Sequence, residues 1–283
     1  MIKNIVFYFS GTGNSLAVAQ SIEEALPDTR AIPILSKDAL RFTNTEAERV
    51  GFVFPIYMNA VPKVVVQFIE SLKPVPSTYY FAVATHGGIP GMAGLYLNKV
   101  LKKQRIALDA YYEIKMINNT PKGVAPKFLM SLNWELDITP EKVGLALKEA
   151  NGAISASIDG IVKKEKTTLQ NIPKGLRRLS YWLMNVVWSI SNYTKHKLDF
   201  VLDGDTCIGC GTCSDICPTK RIAVQDLKPY WINDKCYFCY ACFNYCPSQA
   251  IGVEHYIKKQ GRYHHPEYSA GTISEQWKGI GYE

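Results

Sequence analysis

All eight cysteines of this 283-residue chain lie between Cys207 and Cys246, and they form a repeat. Cys207-x-x-Cys210-x-x-Cys213-x-x-x-Cys217-Pro218 returns as Cys236-x-x-Cys239-x-x-Cys242-x-x-x-Cys246-Pro247, each cysteine displaced by 29 positions (236 − 207, 246 − 217). The displacement carries past the cysteines, since Ile222 matches Ile251 and Val224 matches Val253. A duplication of this length predicts two pseudo-symmetric units, each too small for a core of its own. Three thiolates at a two-residue step wrap a tight loop around one iron–sulfur cube, while the fourth, beyond a short turn, reaches the other cube. The spacing therefore assigns Cys207, Cys210, Cys213 and Cys246 to one 4Fe–4S cluster, and Cys217, Cys236, Cys239 and Cys242 to a second. Zinc also accepts paired Cys-x-x-Cys, but four tetrahedral ligands per site leave the third cysteine and the Cys-Pro step unexplained.

The two halves of the repeat differ in what surrounds the cysteines. Small residues, Gly209, Gly211 and Thr212, flank the first set, whereas Tyr237, Phe238, Tyr240, Phe243 and Tyr245 flank the second. These aromatics supply core for a very small domain. They are also expected to keep water from the second cluster and so lower its potential, because reduction adds negative charge that a dry site disfavours.

A second constellation lies near the start of the chain. Ser10-Gly11-Thr12-Gly13-Asn14-Ser15 separates a strand-like run, Ile5 to Phe9, from a helix-like run, Asn14 to Leu26. Glycines in such a turn let the backbone approach an anion, and the N–H groups, helix N-terminus and three hydroxyls could bind a phosphate. The loop has neither the lysine of a P-loop nor the Gly-x-Gly-x-x-Gly spacing of a dinucleotide fold.

The elements that must position these groups alternate. Strands are expected at Val50 to Phe54, Phe81 to Ala84 and Tyr111 to Ile117, with helices opened by Pro62 and running near Ala93 to Lys103. Strand–helix alternation predicts an α/β domain with a doubly wound parallel sheet. Thr139-Pro140 should cap a long helix whose stripe, Val143, Leu147, Ala150, Ile154, Ile158 and Ile161, packs on that sheet. A connector over 167–202 carries a second apolar face, from Leu176 to Ile190, read as packed between domains rather than laid on a membrane surface. The tail holds His264-His265, expected to face solvent.

The cysteine repeat resembles the bacterial two-cluster ferredoxin family over about residues 203 to 256, with Tyr240 standing where that family usually places a small residue. The Ser10–Ser15 loop resembles the phosphate loop of flavodoxins, with Ser for Thr at the outer positions, and the chain as a whole resembles flavodoxin–ferredoxin fusion proteins. That resemblance implies a flavodoxin-like domain over 1–166, the connector at 167–202, a small α+β two-cluster ferredoxin domain over 203–256 and a tail at 257–283. It implies FMN bound by Ser10, Gly11, Thr12, Gly13, Asn14 and Ser15, with the ring flanked by Tyr57, Met58 and Asn59 on one loop and Thr85, His86, Gly87 and Gly88 on the next. Tyr57 would be the stacking partner; the second aromatic that flavodoxins often use is missing from the 85–91 segment.

The resulting expectation is an electron carrier between redox partner proteins, without catalytic residues of its own. The alternative is a flavin-dependent reductase of a small organic acceptor, fed by its own ferredoxin domain, with His86, Tyr57 and Asn59 as its only candidates. Lys and Arg exceed Asp and Glu by 32 − 25, giving +7, and the excess is read as a solvated face rather than a docking surface for an acidic partner, with no nucleic-acid partner expected. No secretory signal is apparent, and the longest apolar stretch, Tyr181 to Ile190, is about half a membrane span, so a cytoplasmic protein is expected.

Overall fold

The structure is a computed structural model that describes residues 2–43, 46–57, 60–75, 77–121, 136, 138–167, 200–253 and 261–278. Five strands, β1 (Asn4–Tyr8), β2 (Thr29–Pro33), β3 (Arg49–Pro55), β4 (Tyr79–His86) and β5 (Ala110–Lys115), form one sheet in the order β2-β1-β3-β4-β5. Every pairing is parallel. Parallel neighbours need crossovers, which helices supply. They are α1 (Asn14–Ala25), the short α2 (Lys37–Arg41), α3 (Lys63–Glu70), α4 (Ala93–Lys103) and α5 (Pro140–Val162). Helix α1 packs with α5, and α3 packs with α4, so the sheet is covered on both sides. This order is that of the flavodoxin-like sheet, and its switch point falls between β1 and β3.

Burial explains why some of these elements are plain in the sequence. All five residues of β1 are buried, giving the continuous apolar run of a central strand. In β2 only Ile32 is buried; an edge strand needs no such run and left no signal. Helix α5 begins where Thr139-Pro140 marked it, with Thr139 Oγ1 accepting from the Lys142 N–H at 3.3 Å. Its Ala150, Ile154 and Ile161 are buried. At its other end Arg49 donates to the carbonyls of Ile161 and Val162, at 3.1 and 2.9 Å, placing a cation where the helix dipole is negative.

The cysteine region is built as a repeat. Helix α6 (Thr212–Asp215) and helix α7 (Ala241–Asn244) stand 29 positions apart, each carrying the third cysteine of its set. Strand β6 (Phe200–Leu202) pairs antiparallel with β9 (Ile251–Val253), and β7 (Ile222–Gln225) with β8 (Lys228–Trp231). Left-handed residues also repeat: Gly209, Gly211 and Lys220 in the first unit, Phe238, Tyr240 and Gln249 in the second. Of the expected connector, 168–199, with Leu176 to Ile190, lies outside the described residues.

One core runs through both parts. Phe9 and Phe52 of the sheet region share it with Ile216, Cys239, Ala241 and Tyr245 of the repeat. Tail residues Tyr268, Ile273 and Trp277 join the same core, the last two within helix α8 (Ala270–Ser274) and a 3₁₀ turn (Glu275–Trp277). Packing against the sheet is tight where Gly51 pairs with Phe81: a Cβ on Gly51 would lie 2.2 Å from Phe81 Cζ. We expect Gly51→Ala to destabilise the chain by about 1–3 kcal/mol in urea titrations. Adding Phe81→Leu should recover part of that loss; no recovery would show that the ring is not what excludes the methyl group.

Candidate functional site

The cysteines come together as two unequal sets. Cys207, Cys210, Cys213 and Cys246 line one cavity, beside Ile208 and Pro247. This rim is open, with Cys210 exposed and Ile208 67% exposed. Cys217, Cys236 and Cys239 lie close enough to Cys242 that their charges, after burial, push its thiol well up. Burial likewise raises Cys239, and pushes Cys213 up to about 11. A thiol releases its proton to solvent as its sulfur binds iron, so ligation is coupled to proton release.

The donor set suits a cube. Each set offers four thiols, three of them at a two-residue step, which is one ligand for every iron of a cube. Amide donors already point at sulfur, from Phe238 to Cys236 Sγ at 3.3 Å and from Ala250 to Cys246 Sγ at 3.2 Å. Such donors stabilise the added charge of a reduced cluster.

The phosphate-loop residues lie at the C-terminal edge of the sheet. Gly13 caps α1 at φ 98°, a left-handed conformation, and a Cβ there would lie 2.6 Å from the His265 Cβ. Its N–H donates to Ser10 Oγ at 3.1 Å. Ser15 Oγ and Thr85 Oγ1, 2.8 Å apart, tie the loop to the end of β4. Ser10, Gly11, Thr12, Asn14 and Ser15 then line one side of a cleft enclosing about 490 Å³, including its open mouth. The first amides of a helix have no acceptors within it, and the positive end of the dipole adds to them. This end of the cleft fits a phosphate.

Tyr57, Thr85, His86 and Gly87 line the same cleft. Gly88 stands behind them, its carbonyl 2.6 Å from His86 Nδ1. Burial lowers the His86 pKa below its usual value, the Gly88 carbonyl partly opposing this. Met58 and Asn59 lie outside the described residues. Two further groups of residues line the cleft. Met116 to Thr120 follow β5, which ends at Lys115 rather than at the expected Ile117, and Tyr240 arrives from the second cysteine loop.

Tyr240 reaches the cleft because the cysteine loop sits directly on the phosphate loop. A Cβ on Gly11 would lie 2.6 Å from the Tyr57 hydroxyl, 2.7 Å from Cys239 Cβ and 2.8 Å from the Cys239 carbonyl oxygen. Asn244, buried in α7, holds this junction. It donates to the Asn119 carbonyl at 3.2 Å and accepts from the Tyr263 N–H at 3.0 Å. Asn119 in turn donates to Thr12 Oγ1 at 2.5 Å, and the Tyr263 hydroxyl donates to Asn14 Oδ1 at 3.0 Å. Polar side chains thus close a ring through the phosphate loop, the β5 loop, the cysteine loop and the tail.

The tail clamps the loop from behind. Gln276 Oε1 accepts from the Ser10 N–H at 3.0 Å, and its Nε2 donates to the Ser10 carbonyl at 2.9 Å. The His265 N–H donates to the Thr12 carbonyl at 2.8 Å. His265 is therefore not solvent-facing, as the sequence suggested, but only 6% exposed, because the tail folds back over α1 and the ring packs at a tilt against Tyr268.

Residues 199–260 match the family of 4Fe-4S dicluster domains, which is a minor part of the chain. No curated protein matches the chain. Among solved structures, the Trp repressor binding protein from Bacillus subtilis is 16% identical, covering 58% of this chain and 100% of its own, with a TM-score of 0.38. A flavodoxin of Streptococcus pneumoniae TIGR4 is 15% identical, covering 56% and 99%, at 0.35. The rubredoxin oxygen:oxidoreductase of the anaerobe Desulfovibrio gigas is 15% identical over 57% of this chain, at 0.34, and this chain spans 37% of its length. These likenesses are too slight to argue from, and the fold assignment rests on the strand order itself. The chain joins a flavodoxin-like sheet to a 4Fe–4S dicluster domain, an architecture consistent with a flavodoxin–ferredoxin fusion. Among the described residues, no helix is long and apolar enough to cross a membrane.

The buried His265 makes the clamp sensitive to acid. Burial lowers its pKa below 6.5, the nearby Glu267 only partly opposing this. The unfolded chain therefore takes up the proton first, so the stabilisation is complete above pH 6.5 and is lost as pH falls through the lowered folded value. Thermal unfolding midpoints should drop below pH 6.5, and His265→Gln should remove that part of the drop; an unchanged acid limb would place its cause elsewhere.

Proposed function

We propose that the chain is an electron-transfer protein holding FMN in the cleft and two 4Fe–4S clusters on the cysteine repeat, relaying electrons between redox partner proteins. The observation that carries this reading is the seating of Cys239 on Gly11, with the Gly11 Cβ position only 2.7 Å from Cys239 Cβ. A group bound by the phosphate loop and a group bound by Cys239 would be neighbours without any domain movement. FMN exchanges electrons singly or in pairs and each cluster passes one, so the pairing links two-electron to one-electron chemistry.

The roles of the residues follow from their placement. Ser10 to Ser15 hold the phosphate, and Tyr57 borders the ring end. The set of Cys217, Cys236, Cys239 and Cys242 faces the flavin, while that of Cys207, Cys210, Cys213 and Cys246 lies under the exposed rim and hands electrons to partners. Ile208 and Leu227, at 67% and 70% exposed and joined through Gly209, give that side an apolar surface of the kind that excludes water at a contact. A reductase would need a proton donor beside the ring; His86 has its Nδ1 held by the Gly88 carbonyl, which supports the carrier reading.

Anaerobically purified protein should release one FMN per chain on heating, and its iron and sulfide should equal two 4Fe–4S clusters. An EPR-monitored titration should give two potentials, the lower belonging to the buried set. No flavin after incubation with FMN would remove the flavin from this reading, and equal potentials would remove the asymmetry between the sets.

A further inference from the structure

Tyr240 carries two unfavourable features that nothing among the described residues offsets. Its backbone sits at φ 54°, ψ 16°, a left-handed conformation that side chains disfavour. The matching residue of the first unit is Gly211 at φ 76°, where a Cβ would meet nothing within 4 Å. Room is therefore not why the first loop has glycine; conformation alone explains it. The second loop keeps a tyrosine against that same preference.

The second feature is its hydroxyl, which is buried in a residue only 3% exposed and has no hydrogen-bond partner among the described residues. Buried polar groups are ordinarily paired, and one left unpaired weakens the fold that contains it. Tyr240 is also the only lining residue of the cleft that comes from the cysteine repeat. Its ring meets Tyr57 edge-on, with centroids 6.4 Å apart, so two aromatics from different parts of the chain border one polar space.

We propose that Tyr240 is a flavin-binding residue, its hydroxyl donating to an acceptor atom of the FMN in the cleft. The flavin site is then composite: the sheet supplies the phosphate loop and Tyr57, and the loop between Cys239 and Cys242 supplies the remaining wall. A ligand acceptor satisfies the orphaned hydroxyl and offsets the left-handed backbone, which explains why glycine does not stand there. This inference rests on the reading that the cleft holds FMN.

The test is FMN affinity, followed by quenching of flavin fluorescence, in cluster-loaded wild type, Tyr240→Phe and Tyr240→Gly. Removing only the hydroxyl should weaken binding about three- to tenfold, while the thermal midpoint of the flavin-free protein stays level or rises because an unpaired buried group has gone. Tyr240→Gly, which suits the backbone, should retain its iron and weaken binding further. If wild type binds FMN and Tyr240→Phe binds it equally well, the inference is overturned and the proposed function stands. If wild type binds no FMN, both fall together.

Discussion

Gly11 is where the two halves of this protein meet, and its missing side chain is what lets them meet. Its backbone is not left-handed, so conformation does not require glycine there. Contact does, because the Cys239 carbonyl and Cβ and the Tyr57 hydroxyl occupy the space a methyl group would need. Without that approach Tyr240 would not border the cleft, and the ring of hydrogen bonds through Asn244, Asn119 and Thr12 would not close. The continuous core and the double clamp of Gln276 on Ser10 then hold the junction fixed from the other side.

The duplication has been made unequal by its surroundings. Both units keep the same helices and left-handed positions, so the ligating geometry is preserved. One unit faces outward through Cys210 and Ile208, and the other is covered by the phosphate loop, Phe9 and Trp277. Two positive groups modulate the interior: Arg221 lies close enough to lower the Cys236 thiol against the effect of burial, and Arg262 lies over Phe243 at 4.0 Å. Cations near a cluster favour its reduced form, partly opposing the dryness that disfavours it.

How much of this could be read from the residues depends on the range of the forces involved. Ligand spacing is local, so the cysteine repeat declared its two units, while the four-residue helices at Thr212 and Ala241, too short for a periodic pattern, were read only as turns. The Ser10–Ser15 turn and the cap at Thr139-Pro140 are local too, and the structure places both where the sequence marked them. The edge strand Thr29–Pro33 was silent because it buries too little to need a pattern. The tail was silent for a different reason. Gln276 meets Ser10 across 266 positions, and a helix of five residues is too short to show periodicity. Tyr240 could be seen as an oddity in a cysteine loop, but that it lines a cleft at the edge of the sheet follows only from how the loops dock.

Proximity of flavin and cluster is the central claim, and photoreduction tests it most directly. In anaerobic protein loaded with both groups, a light pulse would reduce the flavin while cluster absorbance is followed in time. Transfer within one chain predicts bleaching of the clusters at a rate independent of protein concentration, because donor and acceptor are held together across Gly11 and Cys239. A rate rising in proportion to protein concentration would mean that electrons pass between molecules, and would contradict the account.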